Sequence, residues 1–99
     1  MITFYRIGAI APGKNADMMA FAKEIAGYFK ATYGVELEVM MPIGGNPMRI
    51  GWASRYKDLA ALDATTMKML GDKKYMEMTA KAADLFIPGS LQDSIWRTV

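Results

Sequence analysis

The sequence predicts an α+β fold in the order strand, helix, strand, strand, helix, strand: a four-stranded antiparallel sheet with its helices on one face. Three observations predict it. Residues 35–56 hold two runs with apolar side chains at alternate positions, separated by Pro42, Gly44, Gly45, Asn46 and Pro47, which is a hairpin with a long loop. Residues 2–10, ITFYRIGAI, are β-branched and aromatic with one charge, Arg6, a composition suited to a central strand. Two further stretches, 16–33 and 58–86, carry apolar residues at three- and four-residue intervals, the period of a helix lying on a core. Right-handed crossovers then put both helical regions on the same face, with the first and third strands at the centre of the sheet.

The elements follow in order. Ala11-Pro12-Gly13 ends the first strand, and Asn15 is placed to cap a helix over Ala16–Tyr33, with Asp17 favourable to its dipole. Met18, Phe21, Ala22, Ile25, Phe29 and Thr32 form the apolar stripe of that helix, and Gly34 suits the left-handed residue that closes it. In the hairpin, Val35, Leu37, Val39 and Met41 alternate with Glu36, Glu38 and Met40, and Ile50, Trp52, Ser54 and Tyr56 alternate with Gly51 and Ala53. Asp58 is a plausible cap for the next helix, whose stripe is Leu59, Leu62, Thr66, Met69 and Leu70. Gly71-Asp72 interrupts it, so residues 58–86 form two helices or one bent one, the second piece running from Lys73 to Phe86. Pro88-Gly89-Ser90 stops the helix, and Ser94–Val99 supplies the last strand.

With 99 residues the chain builds one domain over 1–99, and a chain of this length buries about 60 to 65% of its unfolded surface. Ten Met and eleven aromatics exceed what one small core and a solvated surface share comfortably, which suggests a second buried surface. The net charge of +2 has no Lys/Arg run behind it, so no nucleic-acid partner is expected. Without Cys or His, disulfides are excluded and the usual ligands of zinc, haem and copper are missing; no metal and no cofactor are expected. The N-terminus does not read as a signal peptide and no apolar run is long enough for a membrane span, so the expected location is cytoplasmic.

One sheet face carries the helices. The candidates for the other include Tyr5, Ile7, Met40, Trp52, Tyr56 and Trp96, which is too apolar for a solvated face. Two such sheets packed face to face across a two-fold axis would close a barrel, and the expected partner is a second copy of the chain.

The element order over essentially the whole chain, with the runs Gly51–Leu59 (GWASRYKDL) and Leu85–Ser90 (LFIPGS), resembles the dimeric α+β barrel superfamily of ferredoxin-like proteins. Within it the chain looks like the NIPSNAP-like and antibiotic-biosynthesis-monooxygenase-like groups. The resemblance implies a homodimer, a dimeric α+β barrel, with a ligand-sized cavity inside the barrel or between sheet and helices. It also brings cofactor-free oxidation of aromatic polyketides, which uses Asn, Trp and Tyr or Arg, and haem degradation, which uses a His ligand. This chain has no His, and its two asparagines, Asn15 and Asn46, lie at a helix start and in a loop.

The candidate ligand-binding residues are Tyr5, Glu38, Trp52, Ser54 and Trp96, taken to face the barrel together, with Gly8, Gly51 and Ala53 beneath the helices. That assignment leaves Arg6 on the helical side, and a one-residue shift or bulge would exchange the sets. Trp52 and Trp96 either stack on a flat ligand or fill the barrel. Glu36 and Glu38 stand on one strand face and are either a carboxylate pair with one raised pKa or two solvated edge residues. Arg6 and Arg97 either hold an anion between neighbouring strands or pair with acids. Gly44-Gly45 lacks the following helix and Lys of a phosphate loop, and the Met near-pairs point to alternate faces, so they do not converge on copper(I) and read as core filling.

The expected function is therefore a small homodimer that binds a small aromatic or amphipathic molecule. Two rivals stand beside it: a cofactor-independent monooxygenase or isomerase-like enzyme using Glu38 as base or Tyr5 as donor near Trp52, and a structural or regulatory dimer module whose cavity its own side chains fill.

Overall fold

Antiparallel pairing on both flanks of the first strand organises the molecule, and the computed structural model, which describes residues 1–99, shows the register throughout. The elements are β1 (Ile2–Ala9), α1 (Asn15–Tyr33), β2 (Glu38–Met40), β3 (Arg49–Tyr56), α2 (Leu59–Leu70), α3 (Lys73–Lys81), a 3-10 turn at Ala83–Leu85, and β4 (Gln92–Arg97). Strand order is β2-β3-β1-β4, so β1 and β3 are central, as their composition predicts. The arrangement is ferredoxin-like.

Residues opposite one another on neighbouring strands share a face. Ile2 opposes Tyr56, Phe4 opposes Ser54, Arg6 opposes Trp52 and Gly8 opposes Ile50; on the other flank Phe4 opposes Ile95 and Arg6 opposes Asp93. These residues make the helix side of the sheet. Thr3, Tyr5, Ile7, Gly51, Ala53, Arg55, Glu38, Met40, Ser94 and Trp96 make the other side, which no helix covers. Gly8 is thus beneath the helices, whereas Gly51 and Ala53 are not.

Local chemistry accounts for the element ends, with some departures from expectation. Asn15 does not cap α1: the helix begins at Asn15 itself, the preceding Lys14 makes no side-chain capping bond, and Asn15 Nδ2 lies 4.0 Å from Met48 Sδ. The other end is as predicted, with Gly34 at φ +68° donating its N–H to Lys30 O, a conformation that glycine adopts without a Cβ penalty. Strand β2 is only three residues long; Val35 and Leu37 pack against the core from outside the ladder. Asp58 caps α2 by accepting from Ala61 N at 2.8 Å. Asp72 is more than an interruption, because it caps α3 by accepting from Tyr75 N at 3.2 Å. The helix ends at Lys81, earlier than the predicted Phe86, since Phe86 is extended, and β4 begins at Gln92, two residues ahead of Ser94.

The core lies between α1 and the central strands. Met18, Ala22, Ile25 and Phe29 of α1 meet Ile10, Ile50 and Trp52, and Tyr75, Ala82 and Leu85 close one side. Gly8 is required here by close approach: a Cβ at that position would lie 2.8 Å from the Phe86 ring and 2.9 Å from a Leu91 methyl. Phe86 can therefore tilt against Trp52, with ring centroids 5.9 Å apart.

Candidate functional site

The helix side of the sheet is not fully packed. A cavity of about 670 Å³ remains between it, the three helices and the segment from Phe86 to Leu91, a volume ordinary for a small-molecule site. Its floor is Phe4 and Arg6 of β1 with Trp52, Ser54 and Tyr56 of β3. Phe21, Ile25 and Phe29 wall one side, and Leu62, Thr66, Met69, Tyr75 and Thr79 the other. Short contacts fix the segment closing the remaining side: Ile87 N donates to Ala9 O at 2.9 Å, and Ala9 N donates to Ser90 Oγ at 3.1 Å.

The polar groups in this apolar shell are few and each is distinct. Trp52 is 5% exposed and its indole Nε1–H is buried without a hydrogen-bond partner. Ser54 Oγ donates to Tyr56 Oη at 3.1 Å, leaving the Tyr56 O–H free to donate elsewhere. Arg6 holds Asp93 in a two-bond fork, Nε to Oδ1 at 2.7 Å and Nη2 to Oδ2 at 2.8 Å. Burial raises the Tyr56 pKa, with the Ser54 bond opposing. Burial also raises that of Tyr75, against a smaller opposite pull from Arg6. Both phenols are therefore protonated donors at neutral pH. The hydrogen bond to Asp93 raises the Arg6 pKa despite burial, so the guanidinium stays charged. The one carboxylate of the cavity is engaged by Arg6, and the site offers donors and apolar surface rather than a free general base.

Register divides the residues expected to share one face. Trp52 and Ser54 line the cavity, but Tyr5, Glu38 and Trp96 are on the opposite side of the sheet, because Tyr5 opposes Ala53 rather than Trp52. Glu38 pairs with Arg55, both side chains about half exposed, and it stands on the edge strand away from the cavity. Tyr5 and Trp96 belong to a shallow groove with Thr3, Ile7 and Ser94. Trp96 is 63% exposed, and its indole N–H donates to Ser94 Oγ at 3.2 Å. Glu36 pairs with Lys30 and so forms no carboxylate pair with Glu38.

The sequence reading missed Tyr56, Tyr75 and Asp93 as cavity residues. Asp93 emerges as a cavity residue only from strand pairing, which sets it on β4 directly opposite Arg6, the lone charge of β1. It also missed a second polar cluster, where Tyr28 and Tyr33 of α1 donate to the same oxygen of Asp72 at 2.6 and 2.7 Å and so tie α1 to the start of α3. No group of three or more acidic side chains converges to hold a metal ion, and no helix is long and apolar enough to cross a membrane.

No family model matches the sequence, and no curated protein matches it. Solved structures do. An uncharacterised NIPSNAP domain protein from Burkholderia xenovorans superposes with a TM-score of 0.83 at 14% identity, over 100% of this chain and 95% of its own. A NIPSNAP family protein from Agrobacterium tumefaciens gives 0.83 at 17% identity, over 99% of this chain and 85% of its own. A Deinococcus radiodurans protein assigned provisionally as an antibiotic biosynthesis monooxygenase gives 0.76 at 11% identity, over 100% and 93%. At such identities the likeness is one of fold: the chain has the ferredoxin-like α+β fold that NIPSNAP-like and antibiotic-biosynthesis-monooxygenase-like proteins share.

Proposed function

We propose that the helix-side cavity binds a small, mostly apolar or amphipathic molecule bearing an oxygen acceptor, and that the chain does so as a homodimer. The observation that carries the binding reading is the unpaired Nε1–H of Trp52. A buried donor left unsatisfied costs about 1–3 kcal/mol, and a Phe would fill the same wall without that cost. The nitrogen has almost no accessible surface, so an acceptor on a bound molecule reaches it with a small shift of the side chains around it, while Phe4, Phe21 and Phe29 receive the apolar body.

The dimer reading rests on the opposite face. Ile7 and Trp96 are exposed there beside Tyr5 and Met40, with no element of the chain to cover them. A second copy packed on this face would bury on the order of 1,500 Å². An enzymatic version has less support. Neither Asn15 nor Asn46 lines the cavity, and Glu38 is on the other face, so the groups expected to do cofactor-free chemistry are not beside Trp52.

Calorimetric titration with octanol tests the binding reading. The wild-type protein binds it, and Trp52→Phe, which keeps an aromatic ring and removes the N–H, weakens binding about tenfold, with unfolding in urea followed alongside to confirm that the variant is folded. Equal affinity in the two proteins would remove Trp52 from the site.

A further inference from the structure

Arg6 is the only charged residue among the β1 side chains on the helix side, whose other members are Ile2, Phe4 and Gly8. It lies under the helices, in the wall of an apolar cavity, with its guanidinium carbon 5.6 Å from the centre of the Phe4 ring. Asp93 belongs to β4, an edge strand with every residue exposed, and its side chain is 43% exposed against 37% for Arg6.

The pair thus joins a cation on the cavity floor to an anion at the cavity margin, and solvent reaches both side chains. Holding β4 in place does not require the pair, because six consecutive residues of β4 are in register with β1. A half-exposed ion pair contributes only about 0–1 kcal/mol, so Asp93 can leave the guanidinium for water at small cost. A guanidinium with two parallel donors aimed at one carboxylate accepts another carboxylate in the same fork without rearranging.

We propose that Asp93 is an internal stand-in for the carboxylate of the ligand, and that the cavity takes an amphipathic monocarboxylic acid whose head displaces Asp93 from Arg6 while its tail lies on the apolar walls. The inference rests on the cavity-binding reading above. Arg6 directly opposes Trp52 in the ladder, so the two donors lie on adjacent strands at one level of the floor. Tyr75, close enough to Arg6 to feel its charge, closes the cavity above the same end.

The test compares octanoate with octanol by calorimetry on wild type, Arg6→Gln and Asp93→Asn. Octanol reports whether the cavity takes an amphiphile at all, and the difference between the two probes reports the carboxylate. Arg6→Gln should lose about tenfold or more in octanoate affinity, the worth of one charge-assisted hydrogen bond, and several-fold less than that in octanol affinity. Asp93→Asn should bind octanoate several-fold more tightly than wild type, since the internal competitor is weakened, with a smaller change for octanol. If Arg6→Gln does not fold, Arg6→Lys serves: it keeps the charge, loses the fork, and should lose part of the octanoate affinity only. Octanoate binding that is unchanged or weaker in Asp93→Asn overturns the proposal while octanol binding leaves the cavity reading standing. Failure of both probes on the wild-type protein overturns the two together.

Discussion

The two faces of one sheet hold two tryptophans in opposite conditions. Trp52 on the helix side is 5% exposed, packed edge-on against Phe21, and has a donor without an acceptor. Trp96 on the open side is 63% exposed and has its donor satisfied by Ser94. The same residue type is therefore short of a polar partner where it is buried and short of apolar cover where it is not. A small molecule with an acceptor would meet the first need, and a second protein surface would meet the second, as proposed above.

The comparison breaks most visibly if the helix side is not the source of stability. Ile50, fully buried on β3, should cost about 3 kcal/mol on truncation to Ala, because deletion of a buried aliphatic group removes transfer energy and leaves a cavity. Ile7→Ala, on the open face of the neighbouring strand, should cost well under 1 kcal/mol of protomer stability in urea unfolding. Comparable losses would mean that the open face is packed as a core.

A second substitution sharpens the role of the open face. Trp96→Ala should raise the dimer dissociation constant about tenfold or more in sedimentation equilibrium, as loss of a large aromatic at an interface does, while octanol binding is retained. A protein that remains monomeric at micromolar concentration before any substitution removes the dimer.

The Asp72 cluster sits at the helix side only, and pH probes it. Hydrogen bonds from Tyr28 and Tyr33 hold the Asp72 carboxyl below its ordinary value, so its contribution is present above the unfolded pKa of about 3.9 and is lost as pH falls through the lower folded value. The tyrosines run the other way. Burial and the bond to Asp72 raise Tyr33, and the bond to Asp72 raises Tyr28, so their contribution is present below the unfolded pKa of about 10 and is lost as pH rises beyond it. Thermal melts of Asp72→Asn against wild type should converge at acid pH, and melts of Tyr33→Phe should show a shallower alkaline decline. Parallel curves across the whole range would show that the cluster is not ionically coupled to folding.

The smallest effect is expected at Glu38. Its pair with Arg55 is about half exposed on an edge strand, so Glu38→Gln should change stability by under about 0.5 kcal/mol and leave octanol binding as it is. A clear loss of binding would bring the open face back as the ligand site.

Much of this arrangement is legible in residue patterns alone. The apolar run of β1, the stripe of α1 with Gly34 closing it, and the turn residues between β2 and β3 each specify local structure without help from the rest of the chain. The side of the sheet on which Trp52 falls does not follow in the same way, because parity along β3 is relative and only pairing with β1 fixes it. Arg6 is the informative residue: a charge on a covered face is awkward until Asp93, 87 positions along the chain, is opposite it. The unpaired indole N–H is likewise invisible in sequence, since it is the lack of a partner in three dimensions that defines it. Asp72 could have been read, because an acid just before Lys73 at a helix start is a capping signal, but its two tyrosine partners come from tertiary packing.

The most direct measurement uses the two indole N–H resonances of an amide-proton correlation spectrum, one from each face of the sheet. On titration with octanol the Trp52 indole signal should shift downfield and saturate, as a donor gaining an acceptor does, while the Trp96 signal stays in place. A shift confined to Trp96, or none in either, would contradict a ligand site on the helix side.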